Sequence, residues 1–402
     1  MKLGTHLTAR LPFALDALHS LVALNSFTTN ASGVEDVARA TARLFAPLGF
    51  TPEYVPAHDP RHGPHLFLRR PGATGPTIAF VTHSDTVYPA DEERAHNFIY
   101  RDDGLRVYGP GVADIKGGTV VAWMALDALA ACHPEVFTAV DWVVASNAAE
   151  EELNPDFAER LIERTPGAAA ILVMECGADR APSSRPGPTL VVARKGRWSA
   201  TIRCPGRAAH AGTGFWNGDN AILRASRLTL ALAALSDRQR DVSVNVGVVQ
   251  GGTVVNRVPH EALLQVEMRA FDAEAFAATR SRILALVIGE GATCEQVSEL
   301  PAWPRQPDAP LAWFVDHGPE HRAGLSDANL LFHHAPTLDG LGPVGGHCHC
   351  SQPGHQEYAV RSSFVTRARV LAEGLVRGLH QRGDTVSPPA REANAGSISA
   401  AE

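Results

Sequence analysis

The sequence predicts an α/β protein with a mostly parallel sheet, interrupted by an inserted α+β unit. Short apolar runs alternate with helical periodicity in the first part of the chain, and after Pro188 the pattern changes to strands around a helix. At 402 residues the chain is also long enough for more than one hydrophobic core. We therefore expect one domain inserted into another.

The first part of the chain reads as helices and buried strands in turn. Helical spacing is found in LPFALDALHSLVAL, GVEDVARATARLFAPLGF, GGTVVAWMALDALAACHP and DFAERLIERTPG. Short apolar runs typical of buried strands are TIAFVTHSDTV, AVDWVVASN and AAAILVMEC. Because strands that alternate with helices usually pair in parallel, we expect a sheet covered on both faces.

The later segments predict antiparallel strands and a return to the first domain. TLVVARKGRWSATIRCPG, DVSVNVGVVQGG and EALLQVEMRAFD read as antiparallel strands, and NAILRASRLTLALAALSD reads as a helix. We expect a main domain at 1–193 and 301–382, an inserted domain at 194–300, and a disordered tail rich in Pro, Ala and Ser at 383–402.

Composition excludes several classes of function. The net charge is -7 with no long basic run, so we expect neither a nucleic-acid nor a membrane partner. No stretch reaches the roughly 20 apolar residues of a membrane span, and the N-terminus lacks a signal-peptide pattern. The six cysteines form no disulfide-like framework. We expect a cytoplasmic protein with reduced thiols.

Polar side chains follow several of the predicted strands. Ligands bind at the carboxyl ends of parallel strands, and a glycine-rich turn, YGPGVADIKGG, adds one more acid. The residues in question are His83, Asp85, Asp114, Glu150, Glu151 and Glu175. Carboxylates that converge repel one another unless a cation compensates them. Histidine nitrogen with carboxylate oxygen suits zinc, with cobalt or manganese as substitutes, and Asp114 could bridge two ions about 4 Å apart.

Each of these features also has a structural interpretation. The His-x-Asp of His83 and Asp85 could be a hydrogen-bonded loop, the acidic run Glu150 to Glu152 could be a solvated helix start, and Asp114 could cap the following helix. Their order along the chain favours the metal hypothesis.

From Val22 to Arg377 the sequence resembles the family of dizinc hydrolases that includes glutamate carboxypeptidase, acetylornithine deacetylase and succinyl-diaminopimelate desuccinylase. The resemblance rests on THSDTV, YGPGVADIKGG, SNAAEEELN, VMECGA, GRAAHAGTGFWNGDNAI and GGTVVNRVPHEALLQVEMR. It implies two zinc ions per chain, a catalytic domain with an inserted lid and dimerisation domain, and a homodimer. Ala149 departs from the polar residue that often precedes the glutamate pair.

The resemblance also implies roles for individual residues. Glu150 would be the general base, Asp85 would orient a ligand, and His210 would reach a partner's site to hold the carbonyl oxygen. Asn256 and Arg269 would meet a substrate carboxylate. The implied metal ligands are His83, Asp114, Glu151, Glu175 and His349.

The last ligand has competing candidates in GGHCHCSQPGHQEY. His347 and His355 are alternatives to His349, which the glycine run favours. A separate clip by Cys348 and Cys350 is also possible, although structural zinc sites usually space their cysteines by two to four residues.

The implied activity is cleavage of an amide next to a free-carboxylate amino acid, in an N-acyl amino acid or a short peptide. A glutamate-carboxypeptidase-like hydrolase is the first interpretation, and an N-acyl-amino-acid deacylase of the acetylornithine deacetylase or aminoacylase type is the second. A catalytically inactive carboxylate-binding relative is the alternative of another class.

Overall fold

A computed structural model describes residues 2–153, 155–178, 189–304, 311–314 and 317–384. Residues 385–402, nearly all of the predicted tail, lie outside them. The predicted tail began at residue 383, but residues 383 and 384 belong to the last helix, which ends at Asp384. None of the helices in the described ranges combines the length and hydrophobicity needed to cross a bilayer.

The helices and strands predicted from periodicity occur in the predicted order, together with elements that the sequence analysis did not predict. The α-helices are α1 (Leu3–Val22), α2 (Ala31–Phe45), α3 (Ala90–Ala95), α4 (Lys116–Cys132), α5 (Pro134–Ala139), α6 (Asp156–Arg164), α7 (Ala221–Ala233), α8 (Ala273–Gly289), α9 (Ala328–Leu331) and α10 (Ser363–Asp384). The strands are β1 (Thr51–Val55), β2 (His65–Arg70), β3 (Thr77–His83), β4 (Arg101–Asp102), β5 (Arg106–Tyr108), β6 (Asp141–Asn147), β7 (Ala170–Val173), β8 (Thr189–Arg194), β9 (Gly196–Pro205), β10 (Ser243–Gly251), β11 (Glu261–Ala270), β12 (Thr293–Leu300), β13 (Gly318–Arg322), β14 (Thr337–Leu338), β15 (Gly345–Gly346) and β16 (Tyr358–Val360).

The larger sheet has the order β1-β2-β6-β3-β7-β14. Its β6–β3, β3–β7 and β7–β14 pairs are parallel, whereas β1–β2 and β2–β6 are antiparallel. Side chains of β3 alternate between two cores: Ile78 and Phe80 join the core that contains α1, α4 and α10, and Ala79 and Val81 join the core that contains α6 and α9. The predicted α/β class with a mostly parallel sheet is confirmed.

A four-stranded antiparallel sheet forms the inserted unit, in the order β10-β11-β9-β12. One face of β9 is buried through Trp198, Ala200 and Ile202 in a core shared with α7 and α8. The opposite face of the strand begins with Arg197 and is half-exposed. The period of two along β9 therefore leaves a polar face free to line a cavity.

One predicted pairing is wrong. TLVVARKGRWSATIRCPG was expected to form antiparallel strands, but β8 within it pairs in parallel with β13 in a separate two-stranded sheet. All six residues of β8 are buried, and TLVVAR lacks polar alternation, which is typical of parallel strands covered on both faces. The predicted domain boundaries at 193/194 and 300/301 stay a prediction.

Candidate metal centre

The carboxyl ends of three neighbouring strands meet at one edge of the larger sheet. β3 ends at His83, which lies opposite Asn147 at the end of the parallel strand β6, and β7 runs alongside β3. Glu150 and Glu175 follow the ends of β6 and β7. The topology alone brings these side chains together, as the strand-end pattern predicts.

Asp114 reaches the same edge from the loop before α4. The backbone N–H groups of Ala113 and Asp114 donate to Oε1 of Glu357 over 2.8 and 3.0 Å. Oε2 of Glu357 accepts from the Tyr88 hydroxyl over 2.8 Å. Glu357 is fully buried, and burial raises its pKa to about 7. This carboxyl group therefore fixes the loop that carries Asp114.

The two oxygens of Asp114 face different histidines. Oδ1 lies 3.2 Å from Nε2 of His83, and Oδ2 lies 3.4 Å from Nε2 of His349. Nε2 of His83 is also 3.9 Å from Glu175 and 4.0 Å from Glu150. Nε2 of His349 lies 3.2 Å from Oε2 of Glu151. Asp114 thus stands between two groups of donors.

Two sets of three donors are close enough to hold a metal ion. His83, Glu150 and Glu175 form one set, and His83, Asp114 and Glu151 form the other, with ligand atoms within 4.8 Å of one another in each. The donors are imidazole nitrogen and carboxylate oxygen, which suit zinc and related divalent ions. The residues present therefore fit a divalent metal.

The carboxylate of Asp85 contacts His83 and the backbone of Glu150 and Glu151. Its Oδ1 lies 3.3 Å from Nδ1 of His83 and accepts the Glu150 N–H over 3.1 Å. Its Oδ2 accepts from Glu151 N–H over 3.2 Å and from the Thr28 hydroxyl over 2.8 Å. Asp85 is fully buried. Asp85 therefore orients the backbone of the glutamate pair through its carboxylate, and its backbone carbonyl also lies 3.0 Å from Nδ1 of His83.

The electrostatics of the cluster favour a bound cation. Burial raises the pKa of both Glu150 and Glu175 well above the ordinary value. Burial also raises the pKa of Asp114, but hydrogen bonds from His349 and His83 outweigh it and leave that pKa low. Hydrogen bonds to Asp114 and Glu151 raise the pKa of His349 to about 10. These buried carboxylates need positive charge beside them.

Of the three candidate histidines, His349 is the one that reaches Asp114 and Glu151. His347 and His355 stack on each other instead, with ring centroids 3.8 Å apart. Neither Cys348 nor Cys350 belongs to a group of potential metal ligands in the described part of the chain.

His210 and Asn256 do not reach the centre within one chain. Both are exposed, and they adjoin each other, since Ala211 N–H donates to the Asn256 carbonyl over 2.9 Å. They lie beyond the Glu261 end of β11, whereas Arg269 lies at its other end. The structure therefore separates Arg269 from Asn256, which the resemblance placed on one substrate carboxylate.

A cavity of about 390 Å³ opens beside the cluster. One part of it is lined by Asp114, Glu150, Glu151, Glu175 and His349, and another part by Arg194, Arg197, Arg269 and Arg322. Sequence reasoning singled out Arg269 alone among these arginines. The motif ARKGR places Arg194 and Arg197 at the junction of β8 and β9, and this junction is the signal that could have found them.

Two further buried acids were also missed by sequence reasoning. One is Glu357, described above. The other is Asp327, which accepts from the Asn147 side chain over 2.9 Å and whose pKa burial raises to about 7. Asp327 lies far along the chain from the strand it supports, and no local motif marks it.

Comparison with known proteins shows what the chain resembles. Residues 192–292 match the model of the M20 peptidase dimerisation domain. In this segment the chain is similar to the M20 peptidases. A solved M20 family metallo-carboxypeptidase from Sulfolobus solfataricus shares the fold, with a TM-score of 0.69 at 14% identity over 90% of this chain and 98% of that one. The resemblance predicted from the motifs is confirmed.

Three named proteins are similar to this chain in sequence. Carboxypeptidase G2 of a Pseudomonas species is 26% identical over 64% of this chain and 60% of its own length. Succinyl-diaminopimelate desuccinylase of Thioalkalivibrio sulfidiphilus is 24% identical over 69% of this chain and 73% of its own. One of the subunits of p-aminobenzoyl-glutamate hydrolase of Escherichia coli is 51% identical over 65 residues, which are 16% of this chain and 15% of that one.

Proposed function

We propose that this protein is a metal-dependent hydrolase that cleaves an amide bond next to an amino acid with a free carboxylate. It would hold two zinc ions per chain, with cobalt or manganese as substitutes. His83, Asp114 and Glu175 would bind one ion, and Asp114, Glu151 and His349 the other.

The observation that carries this proposal is the position of Asp114 between two histidines. A carboxylate whose Oδ1 lies 3.2 Å from one imidazole and whose Oδ2 lies 3.4 Å from another is placed to bridge two cations. Glu175 lies beside the first histidine and Glu151 beside the second. This donor set supports two adjacent sites rather than one.

The chain's own residues supply the acid–base chemistry. Divalent ions at these sites would lower the pKa of a water molecule and polarise the scissile carbonyl. Glu150 would accept a proton from the water and deliver it to the leaving nitrogen. Asp85 would hold His83 and the backbone of Glu150 in fixed positions during the reaction.

The proposed substrate is an N-acyl or N-peptidyl amino acid. Arg269 lines the same cavity as the acidic cluster, and a guanidinium binds a carboxylate through paired hydrogen bonds. One relative is named for p-aminobenzoyl-glutamate and another for removal of a succinyl group from an amino acid. We propose the glutamate-carboxypeptidase-like activity first and the deacylase activity second.

We further propose that the active form is a homodimer. Trp216 and Val255, on the loops beside His210, are 91% and 101% exposed, as expected of a surface that a second copy covers. Nδ1 of His210 accepts from the N–H groups of Gly212 and Thr213 over 3.0 and 3.2 Å. A neutral ring held in this way carries its proton on Nε2, which could donate to the carbonyl oxygen in the partner's site.

The test combines metal content with turnover of N-acyl amino acids, peptides ending in glutamate, and dipeptides. We expect close to two metal ions per chain, and Glu150→Gln should lower kcat by about 10²- to 10⁴-fold without releasing them. Glu152→Gln is the matched control, because the neighbouring Glu152 is exposed and pairs with His62 instead.

Retention of activity in Glu150→Gln would contradict the role of Glu150 as the base. A protein that binds no metal and turns over nothing in the panel would contradict the hydrolase and favour a carboxylate-binding relative.

A further inference from the structure

Three of the four arginines around the cavity are paired with an acid. Arg194 pairs with Asp339 at 2.6 Å, Arg269 with Glu267 at 2.7 Å, and Arg322 with Glu320 at 2.8 Å. For Arg197, no carboxylate lies within ion-pairing distance among the residues that the structure describes. Among the described residues, Arg197 is therefore the one guanidinium of the cavity lining without a carboxylate in direct ion-pairing contact.

Arg197 stands directly across from Arg269. The two residues are partners in the antiparallel register of β9 and β11, and both lie on the polar face of that sheet. Like charges at directly opposed positions destabilise a strand pair. An arrangement of this kind becomes favourable when an anion lies between or above the two cations.

The side chain of Arg197 also has an unused donor. Nη2 donates to the Ser298 hydroxyl over 3.2 Å, but Nε is buried and has no acceptor. Burial lowers the pKa of Arg197 below its ordinary value; Glu267 opposes this shift and Arg269 adds to it. A buried N–H without an acceptor costs free energy, so the described residues leave this guanidinium with hydrogen-bonding capacity that they do not satisfy.

We propose that Arg197 binds a second carboxylate of the substrate, so that the site selects amides of acidic amino acids such as glutamate or aspartate. This inference rests on the proposed hydrolase function. Arg269 holds the α-carboxylate, and Arg197 holds the side-chain carboxylate. Opposed residues of neighbouring strands lie about 5 Å apart at Cα, a spacing that suits two carboxylates joined by a short carbon chain.

The test compares substrates that share one acyl group and differ only in the amino acid. N-acyl-glutamate, N-acyl-glutamine and N-acyl-leucine would be assayed with the metal-loaded wild type and with Arg197→Gln. We expect kcat/KM for the glutamate substrate to fall about 10- to 100-fold, mainly through KM, because one charge-assisted contact is lost. The values for the glutamine and leucine substrates should stay within about twofold. Arg197→Lys should keep part of the preference.

Arg203→Gln is the matched control, because Arg203 lies on the same face of β9 but pairs with Glu261 and Glu295 outside the cavity. It should not change the preference for glutamate. An equal loss on the glutamate and glutamine substrates in Arg197→Gln, or no loss on either, would overturn the proposal.

A binding measurement separates this proposal from the hydrolase proposal. Calorimetry with glutarate and butyrate should show at least about tenfold tighter binding of the dicarboxylate to the wild type, and Arg197→Gln should abolish that difference. If the wild type turned over no substrate, the hydrolase function would fail, and calorimetry would still decide the role of Arg197. Equal affinity of the wild type for both acids would overturn it.

Discussion

Asp85 and Glu357 are fully buried carboxylates that bind backbone N–H groups beside the proposed ligands. Asp85 accepts from Glu150 and Glu151, and Glu357 accepts from Asp114. A charged acceptor makes such hydrogen bonds stronger than neutral ones. The positions of Asp114 and Glu151 are therefore each supported by a second acid that does not itself line the cavity.

Asp327 permits a test of buried charge in the metal-free protein. Its pKa is raised to about 7 in the fold against an ordinary value of 3.8. Between these two pH values the folded chain keeps a proton that the unfolded chain has lost. The free energy of unfolding therefore falls as pH rises from about 4, and the full loss is reached above about pH 7. We expect metal-free Asp327→Asn to be more stable than wild type at pH 8, by more than about 1 kcal/mol.

The advantage of Asp327→Asn should shrink toward pH 4, because the unfolded wild type takes up a proton at this position as pH approaches 3.8, while the folded form already holds one. Urea unfolding with a chelator at both pH values measures it. A variant that is less stable than wild type at pH 8 would show that the hydrogen bond with Asn147 outweighs the charge effect.

At the scale of elements, α7 has two different apolar faces. Ala225, Leu228 and Leu232 are buried against the sheet of the inserted unit. Leu223 and Leu230, seven residues apart and therefore on one side of the helix, are 56% and 75% exposed. A helix apolar on both sides indicates two partners: its own sheet and, in the proposed dimer, a second copy.

We expect Leu230→Asp to yield a folded monomer, because the substituted side chain is exposed within one chain but would face the second copy. Sedimentation velocity should show the loss of the dimer while the circular dichroism spectrum is retained. Hydrolysis should also fall, since His210 would no longer reach a partner's site. Leu105→Asp is the control, because Leu105 is 79% exposed between β4 and β5. A dimer that persists in Leu230→Asp would contradict the proposed interface.

At the scale of the whole molecule, the chain enters and leaves the inserted unit at two points, and the side chain of Asn329 contacts both of them. Nδ2 of Asn329 donates to the Lys195 carbonyl over 3.0 Å and to the Pro301 carbonyl over 2.9 Å. Nη1 of Arg269 also donates to the Ala323 carbonyl over 3.0 Å, which joins β11 to the segment after β13. These contacts hold the arginines of the inserted unit beside the acids of the larger sheet.

Metal removal should destabilise the whole molecule. Ions that bind the folded chain alone add RT ln(1 + [L]/Kd), about 2.7 kcal/mol at a hundredfold excess over Kd. We expect chelation to lower Tm measurably and zinc to restore it, with a smaller recovery in Asp114→Asn, whose side chain has a single acceptor oxygen. Scanning calorimetry measures both. An unchanged Tm after complete chelation would contradict the metal centre.

Much of the candidate centre could be predicted because its residues follow strands that the sequence marks clearly. His83, Glu150 and Glu175 come directly after apolar runs, and parallel pairing then brings them together. Asp327 and Arg197 could not be found in this way. Their importance depends on contacts with distant segments, namely Asn147 for the first and the register opposite Arg269 for the second.

The sequence by itself determined the α/β class, the main helices and strands that carry the site, the family resemblance and the acidic residues at the strand ends, because periodicity and motifs are local properties of the chain. Only the tertiary structure decided that β8 pairs in parallel, that His349 rather than His347 or His355 reaches Asp114, and that His210 stays outside its own chain's cavity. It also decided that Arg197 lines the cavity with no ion-pair partner among the residues that the structure describes. These outcomes depend on pairing and packing between segments far apart in sequence, which no local pattern encodes.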